Sequence, residues 1–328
     1  MKPLVILTGP TAVGKTAVSI GLAQKIGGEI ISADSMQVYK GMDIGTAKIT
    51  PEEMCGVPHH LIDIMEPDEE FNVYRFKELA TEAMEKIYHN GHIPIITGGT
   101  GFYIQAVLYD IDFTDESPDT GIREELQKIA DEKGAEYLHQ MLAQIDSESA
   151  DAIHANNVKR VIRAIEYYRQ TGQKISEHNN EQRSRKSPYN FAYIVLNDDR
   201  MLLYKRIDDR VDRMIEEGLT DEVRRLMDKG YDRNLVSMQG LGYKEMIAYL
   251  NGEMPFDEAV YVIKRDTRHF AKRQLTWFGR ERDVNFIRLD ELRKNNDCDI
   301  IDAAIDRIME LLSDKGIIEN KGERNERF

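Results

Sequence analysis

Apolar residues along the chain cluster in two rhythms. Short runs, such as Leu4–Leu7, Glu29–Ser32, His60–Ile64 and Ile93–Thr97, read as strands. Between them, Thr16–Ile26, Val73–Tyr88 and Gly101–Leu108 repeat their apolar positions every three to four residues and read as helices. Strand alternating with helix predicts a mostly parallel sheet covered on both faces. The alternation stops near Asp112. From there to Ser187 the chain is polar and helical, with apolar faces over Gly121–Lys133, Ala135–Ile145 and Asn156–Thr171. Phe191–Leu196 returns as a strand. Helices are then predicted over Arg200–Glu217, Thr220–Lys229, Tyr243–Asn251 and Pro255–Gly279, followed by a strand over Phe286–Leu289 and a helix over Ile300–Ser313. The expected fold is α/β: a mostly parallel sheet flanked by helices, with an inserted all-helical domain. The α/β core takes 1–112 and 188–315, the insertion 113–187, and a polar mobile tail 316–328.

Turn chemistry sharpens this picture at one place. Gly9-Pro10-Thr11-Ala12-Val13-Gly14-Lys15-Thr16 follows a predicted strand and opens a predicted helix, which is the context a G-x-x-x-x-G-K-[ST] loop requires. Successive backbone N–H groups, the helix N-terminus and the Lys15 charge form a cradle for a diphosphate or longer chain. The Thr16 hydroxyl can sit on Mg²⁺, the one cofactor expected. The loop makes the expected sheet P-loop NTPase-like, but it does not identify whose phosphates it holds. A kinase would carry a metal-binding carboxylate at the end of a neighbouring strand. Here Ile93–Thr97 runs instead into Gly98-Gly99-Thr100-Gly101. Asp34, at the end of the second strand, lies where parallel sheets bind ligands, and an Asp there serves equally to cap a turn.

Composition adds two constraints. The 328 residues carry a net charge of −14, which on average disfavours a nucleic-acid partner. Two segments run against that background: Lys159, Arg160, Arg163, Arg169 and Lys174 through Arg183, Arg185 and Lys186, and Lys264, Arg265, Arg268, Lys272, Arg273, Arg280 and Arg282. Either run alone reads as a solvated helix face; two together point toward an anionic polymer. The only cysteines, Cys55 and Cys298, lack metal-type spacing and read as reduced thiols in a cytoplasmic protein. No segment approaches the roughly 20 apolar residues of a membrane span. His59 and His60, adjacent on a strand, point to opposite faces and share no metal. Met214, Met227, Met238 and Met246, with Trp277 and Phe278, read as core.

With these motifs in place, a resemblance emerges. GPTAVGKT, ISADSMQVYKGMDIGTAK, TGGTGFYIQA, NNVKRVIRAIE, QGLGYKE and RHFAKRQLTWF together resemble bacterial tRNA dimethylallyltransferases, from the first strand to about Phe278. The resemblance implies transfer of a dimethylallyl group from dimethylallyl diphosphate to N6 of adenine 37 in the anticodon loop, in tRNAs reading codons that begin with U. It makes Asp34 the general base, with Thr16 and Arg210 completing the catalytic set; Arg206 lies close enough in sequence to compete with Arg210. It assigns tRNA contacts to Asp34, Ser35, Met36 and Gln37, whose amide would read an adenine edge, and to Thr100 and Arg123. Further contacts fall on Asn157, Val158, Lys159, Arg160 and Val161, on Gly240, Leu241, Gly242, Tyr243, Lys244 and Glu245, and on Arg273, Gln274 and Arg280. The expected partners are the diphosphate donor and the tRNA anticodon stem-loop, with no membrane, and the protein is expected to be a monomer. A P-loop kinase for a small metabolite is the alternative.

Overall fold

A computed structural model describes residues 1–112, 121–295 and 299–319. Its backbone contacts separate two compact units: Met1–Leu108 joined by the chain from Pro188 on, and Tyr109–Ser187. The second unit thus starts ahead of the expected residue 113.

The first unit is built on six strands: β1 (Lys2–Thr8), β2 (Gly28–Ser32), β3 (His59–His60), β4 (Ile93–Gly98), β5 (Tyr189–Asn197) and β6 (Val284–Arg288). They pair in the order β3-β2-β4-β1-β5-β6, and every pairing is parallel. Strands buried on both faces must be apolar throughout, and Leu4, Val5, Ile6 and Leu7 of β1 have no exposed surface. One face packs on the helices Lys15–Ile26 and Ile300–Asp314 through Val18, Leu22, Ile305 and Ile308. Phe76 of the helix Val73–His89 stacks on Tyr103, with Phe71 edge-on to both. The strand expected over His60–Ile64 is cut to two residues, because Leu61 and Asp63 adopt positive φ and turn the chain away from the sheet. Nor does the polar tail begin at 316. Ile317 is buried and its N–H bonds back to Leu312 O; residues 320–328 and Cys298 lie outside the described residues. None of the described helices is long and apolar enough to cross a membrane.

The second unit is helical: Ile122–Lys133, Ala135–Ile145, Ser147–Ala152, Val158–Thr171 and Ile175–Ser184 surround a core of Leu126, Leu138, Leu142, Val161 and Ile165. Two of these helices escape the apolar pattern. Ser147–Ala152 and the start of Ile175–Ser184 are set by one buried carboxylate: Asp146 accepts from the N–H and hydroxyl of both Ser149 and Ser176. Burial alone would raise its pKa, and these four hydrogen bonds outweigh burial and leave it lowered.

Candidate active site

All strands of the first unit being parallel, the chain segments after β1, β2, β4 and β5 leave the sheet at one edge. The phosphate loop follows β1, the central strand, between β4 on one side and β5 on the other. At such a switch point adjacent loops diverge and leave a crevice. The segment after β2 is fastened to β4: Ala33 N–H donates to Thr97 O (2.7 Å) and Thr100 N–H to Ala33 O (3.2 Å). A Cβ on Gly98 would lie 2.3 Å from the Ala33 carbonyl oxygen, so only glycine lets the two backbones meet.

The crevice is a cavity of about 390 Å³. Thr11, Asp34, Ser35, Met36, Thr100 and Arg210 line it together with the segment Gly240–Lys244, Arg273 and Gln274. Residues brought in from six separate stretches of sequence therefore meet there. Thr11 is the phosphate loop's member of this wall, and Lys15 stands close enough to feel both Arg210 and Asp34. Burial lowers the Lys15 pKa to about 8; Arg210 adds to the effect and Asp34 opposes it. Its ammonium is folded onto the loop's own carbonyls, Gly9 O at 3.0 Å and Pro10 O at 2.9 Å. Burial also lowers the Arg210 pKa, with Asp34 opposing, and Arg210 donates to the Thr11 hydroxyl (3.2 Å). Arg206 is engaged elsewhere. It donates to Asp198 at the end of β5, whose fully buried carboxylate is gripped from the other side by Arg293. That salt bridge leaves Arg210, rather than Arg206, lining the cavity beside Thr11. It also occupies the acid flanking β1, so among the described residues no free carboxylate stands where a kinase would hold its metal.

Asp34 does both things its position allowed. Its Oδ1 accepts from Met36 N–H (2.9 Å) and, more weakly, Gln37 N–H (3.4 Å), capping the turn, while its carboxylate lines the cavity. Among the described residues, Oδ2 accepts no hydrogen bond. Gln37, expected to read an adenine edge, does not reach the cavity. Its amide donates to Thr46 O and Ala47 O, both at 3.2 Å, and its oxygen accepts from Ser32, so it ties the loop together. The loop is anchored further by Glu222, a buried carboxylate that accepts from the N–H groups of Asp43, Ile44 and Gly45 and from the Tyr243 hydroxyl (2.7 Å). Burial, and then Glu222, push that hydroxyl's pKa well above its usual value.

Other expected contacts divide. Glu245 is buried and caps its own helix through Gly242 N–H, so it offers RNA nothing. Gln274 is likewise turned inward, onto Thr11 and Gly99. Arg273 and Arg280 are exposed, as is Thr16. Arg123 and Asn157–Val161 belong to the helical unit, where Arg123 pairs with Glu166 and Lys159 and Arg160 are exposed. The second basic run is half neutralised: Lys264 pairs with Asp212, Arg265 with Asp266 and Arg268 with Asp208. Trp277 is 37% exposed, lying edge-on to Phe102, whereas Phe278 is core as expected.

The cavity also has an apolar wall that sequence reading missed: Ile207, Val211 and Met214 from the helix Arg200–Glu216, and Ile263 and Phe270 from the helix Phe256–Phe278. The spacing of three and four was visible in the sequence, and a core facing and a cavity facing leave the same signature.

A family model described as IPP transferase matches residues 37–281, and one described as isopentenyl transferase matches residues 2–66. The tRNA dimethylallyltransferase of Lachnoclostridium phytofermentans is 61% identical over 97% of this chain and 100% of its own length. That of Acetivibrio thermocellus is 52% identical over 89% and 93%. Among solved structures, the tRNA isopentenylpyrophosphate transferase of Bacillus halodurans covers 96% of this chain and 98% of its own, at 45% identity and a TM-score of 0.71. A eukaryotic dimethylallyltransferase acting on tRNA reaches a TM-score of 0.82 at 30% identity, over 98% of this chain and 82% of that one. Aligned nearly end to end with relatives of that name, the chain belongs to the IPP transferase family, among its tRNA dimethylallyltransferases.

Proposed function

We propose that the chain transfers the dimethylallyl group of dimethylallyl diphosphate to N6 of adenine 37 in the anticodon loop of tRNAs reading codons that begin with U. The observation that carries this reading is one cavity in which Asp34 faces Arg210 and Thr11 of the phosphate loop, with an apolar wall between the helices beside them. The donor's diphosphate occupies the loop's N–H cradle, and Lys15 leaves the Gly9 and Pro10 carbonyls for a phosphate oxygen. The exposed Thr16 hydroxyl, at the helix N-terminus, suits a Mg²⁺ brought in on the diphosphate, whose charge assists the leaving group. Arg210 meets the same developing charge.

The exocyclic amine of adenine is a poor nucleophile because its lone pair is delocalised into the ring. Oδ2 of Asp34, the oxygen not used for the turn, takes the N6 proton as nitrogen bonds to C1 of the dimethylallyl group. The C1–O bond breaks with its electron pair going to diphosphate. The adenine must leave its stack to reach this point, which an anticodon loop permits. Lys159, Arg160, Lys244, Arg273 and Arg280, all exposed, hold the anticodon stem-loop through phosphates. The chain is taken to act as a monomer, and tRNA as acceptor supports work in the cytoplasm.

The test is a transfer assay with radiolabelled dimethylallyl diphosphate, Mg²⁺ and an unmodified tRNA carrying adenines at positions 36, 37 and 38, with ATP supplied separately. Label in the tRNA without ATP is the expected result. Unlabelled tRNA with ATP consumed would return the loop to a kinase.

A further inference from the structure

The backbone N–H of Thr11 does not join the anion cradle. It donates to Oε1 of Gln274 at 2.9 Å, and Nε2 of the same amide donates to Gly99 O at 3.1 Å. Gln274 stands on the helix Phe256–Phe278 with 6% of its surface exposed. The arrangement demands an amide. A carboxylate cannot donate to Gly99 O, and a hydrocarbon serves neither partner. It also demands glycine opposite, since a Cβ on residue 99 would lie 2.0 Å from Nε2. One side chain thus pins the loop after β1 to the turn after β4. Because the Thr11 hydroxyl receives Arg210, Gln274 also fixes the seat of that guanidinium.

We propose that Gln274 is a positioning residue for the donor: it holds the phosphate loop in its diphosphate-accepting form and sets Arg210 over it. This rests on the diphosphate reading of the loop given above. The neighbouring Arg273 faces the cavity and is exposed, so adjacent positions on one helix serve different substrates, Arg273 the acceptor and Gln274 the donor. Without the amide, a part-buried N–H and carbonyl lose their partners. The loop rearranges to recover them, and the remaining N–H groups no longer converge.

The test compares wild type with Gln274→Leu and Gln274→Met, two side chains of similar size that cannot donate to Gly99 O and offer Thr11 N–H at best the weak acceptor of a thioether; the flexible methionine serves if leucine prevents folding. Inorganic pyrophosphate binding with Mg²⁺, tRNA binding, steady-state kinetics and amide exchange at Thr11 are measured on each. Pyrophosphate Kd and donor KM are expected to rise about tenfold or more, with tRNA Kd changed less than about twofold and Thr11 exchange accelerated. Gln274→Glu, which keeps an acceptor for Thr11, is expected to restore slow exchange at that amide. Weakened tRNA binding with pyrophosphate binding intact would overturn the proposal and make Gln274 an RNA contact. Wild type failing to bind pyrophosphate would instead remove the diphosphate reading, and this inference with it.

Discussion

Asp34→Asn separates the two duties of that carboxylate. Asparagine keeps an oxygen for Met36 N–H, so the turn survives, while the proton acceptor is gone. Turnover is expected to fall about a hundredfold or more, with stability in urea unchanged to within about 1 kcal/mol. An equal loss in stability and turnover would make the turn, not the base, the residue's contribution. Lys15 gives a second test at this scale. Its pKa of about 8 leaves it charged below that pH and neutral above it in the free protein. A diphosphate favours the charged form, so binding above pH 8 must first take up a proton, and pyrophosphate affinity falls as pH rises, by up to about tenfold per unit. Calorimetry from pH 7 to 9.5 should show this slope in wild type beyond that of Lys15→Met, whose remaining slope belongs to pyrophosphate itself. The residues of the phosphate loop and Asp34 were legible in the sequence because their chemistry is local: a turn, a helix start and a strand end lie within a few positions. Gln37 and Gln274 were not. Each is a polar residue in a helix or turn whose partners, Thr46 O or Thr11 N–H, are decided by packing that no local pattern records.

Elements were read well wherever an apolar stripe ran for three turns or more, as in Val73–His89 and Ala135–Ile145. The helices Ser147–Ala152 and Leu289–Asn295 are too short to show a period, and the first is specified by the Asp146 cap instead. The same dependence on a single carboxylate recurs around residues 43–47. Glu222 of the helix Leu219–Asp228 holds three backbone N–H groups and the Tyr243 hydroxyl, and the loop it orders supplies the carbonyls that hold Gln37, next to the Asp34 turn. Glu222→Ala leaves four donors without an acceptor. A loss of about 3 kcal/mol or more in denaturant unfolding is expected, together with lower turnover, although residue 222 does not line the cavity. Full stability in this variant would mean that the loop has another anchor.

For the whole molecule, a net charge of −14 and a polyanionic partner are reconciled by how the cations are spent. Lys264, Arg265 and Arg268 already have carboxylate partners, whereas Lys159, Arg160 and Arg163 are exposed without an ion pair among the described residues. Replacing Lys159, Arg160 or Arg163 by alanine should each lower the slope of log Kd for tRNA against log salt by about one; replacing Lys264 should leave it in place. The reverse ranking would move the RNA to the other basic run. β1 is central, bounded by β4 from the first segment of its unit and by β5 from the second, with Lys2 registered against Tyr189. On a ribosome making roughly 5–20 residues per second, one edge of β1 therefore waits about 10–40 s for its partner, while the helical unit between them is completed first. A strand whose residues 4–7 have no exposed surface in the finished enzyme is, during its synthesis, the one that waits longest for its partner.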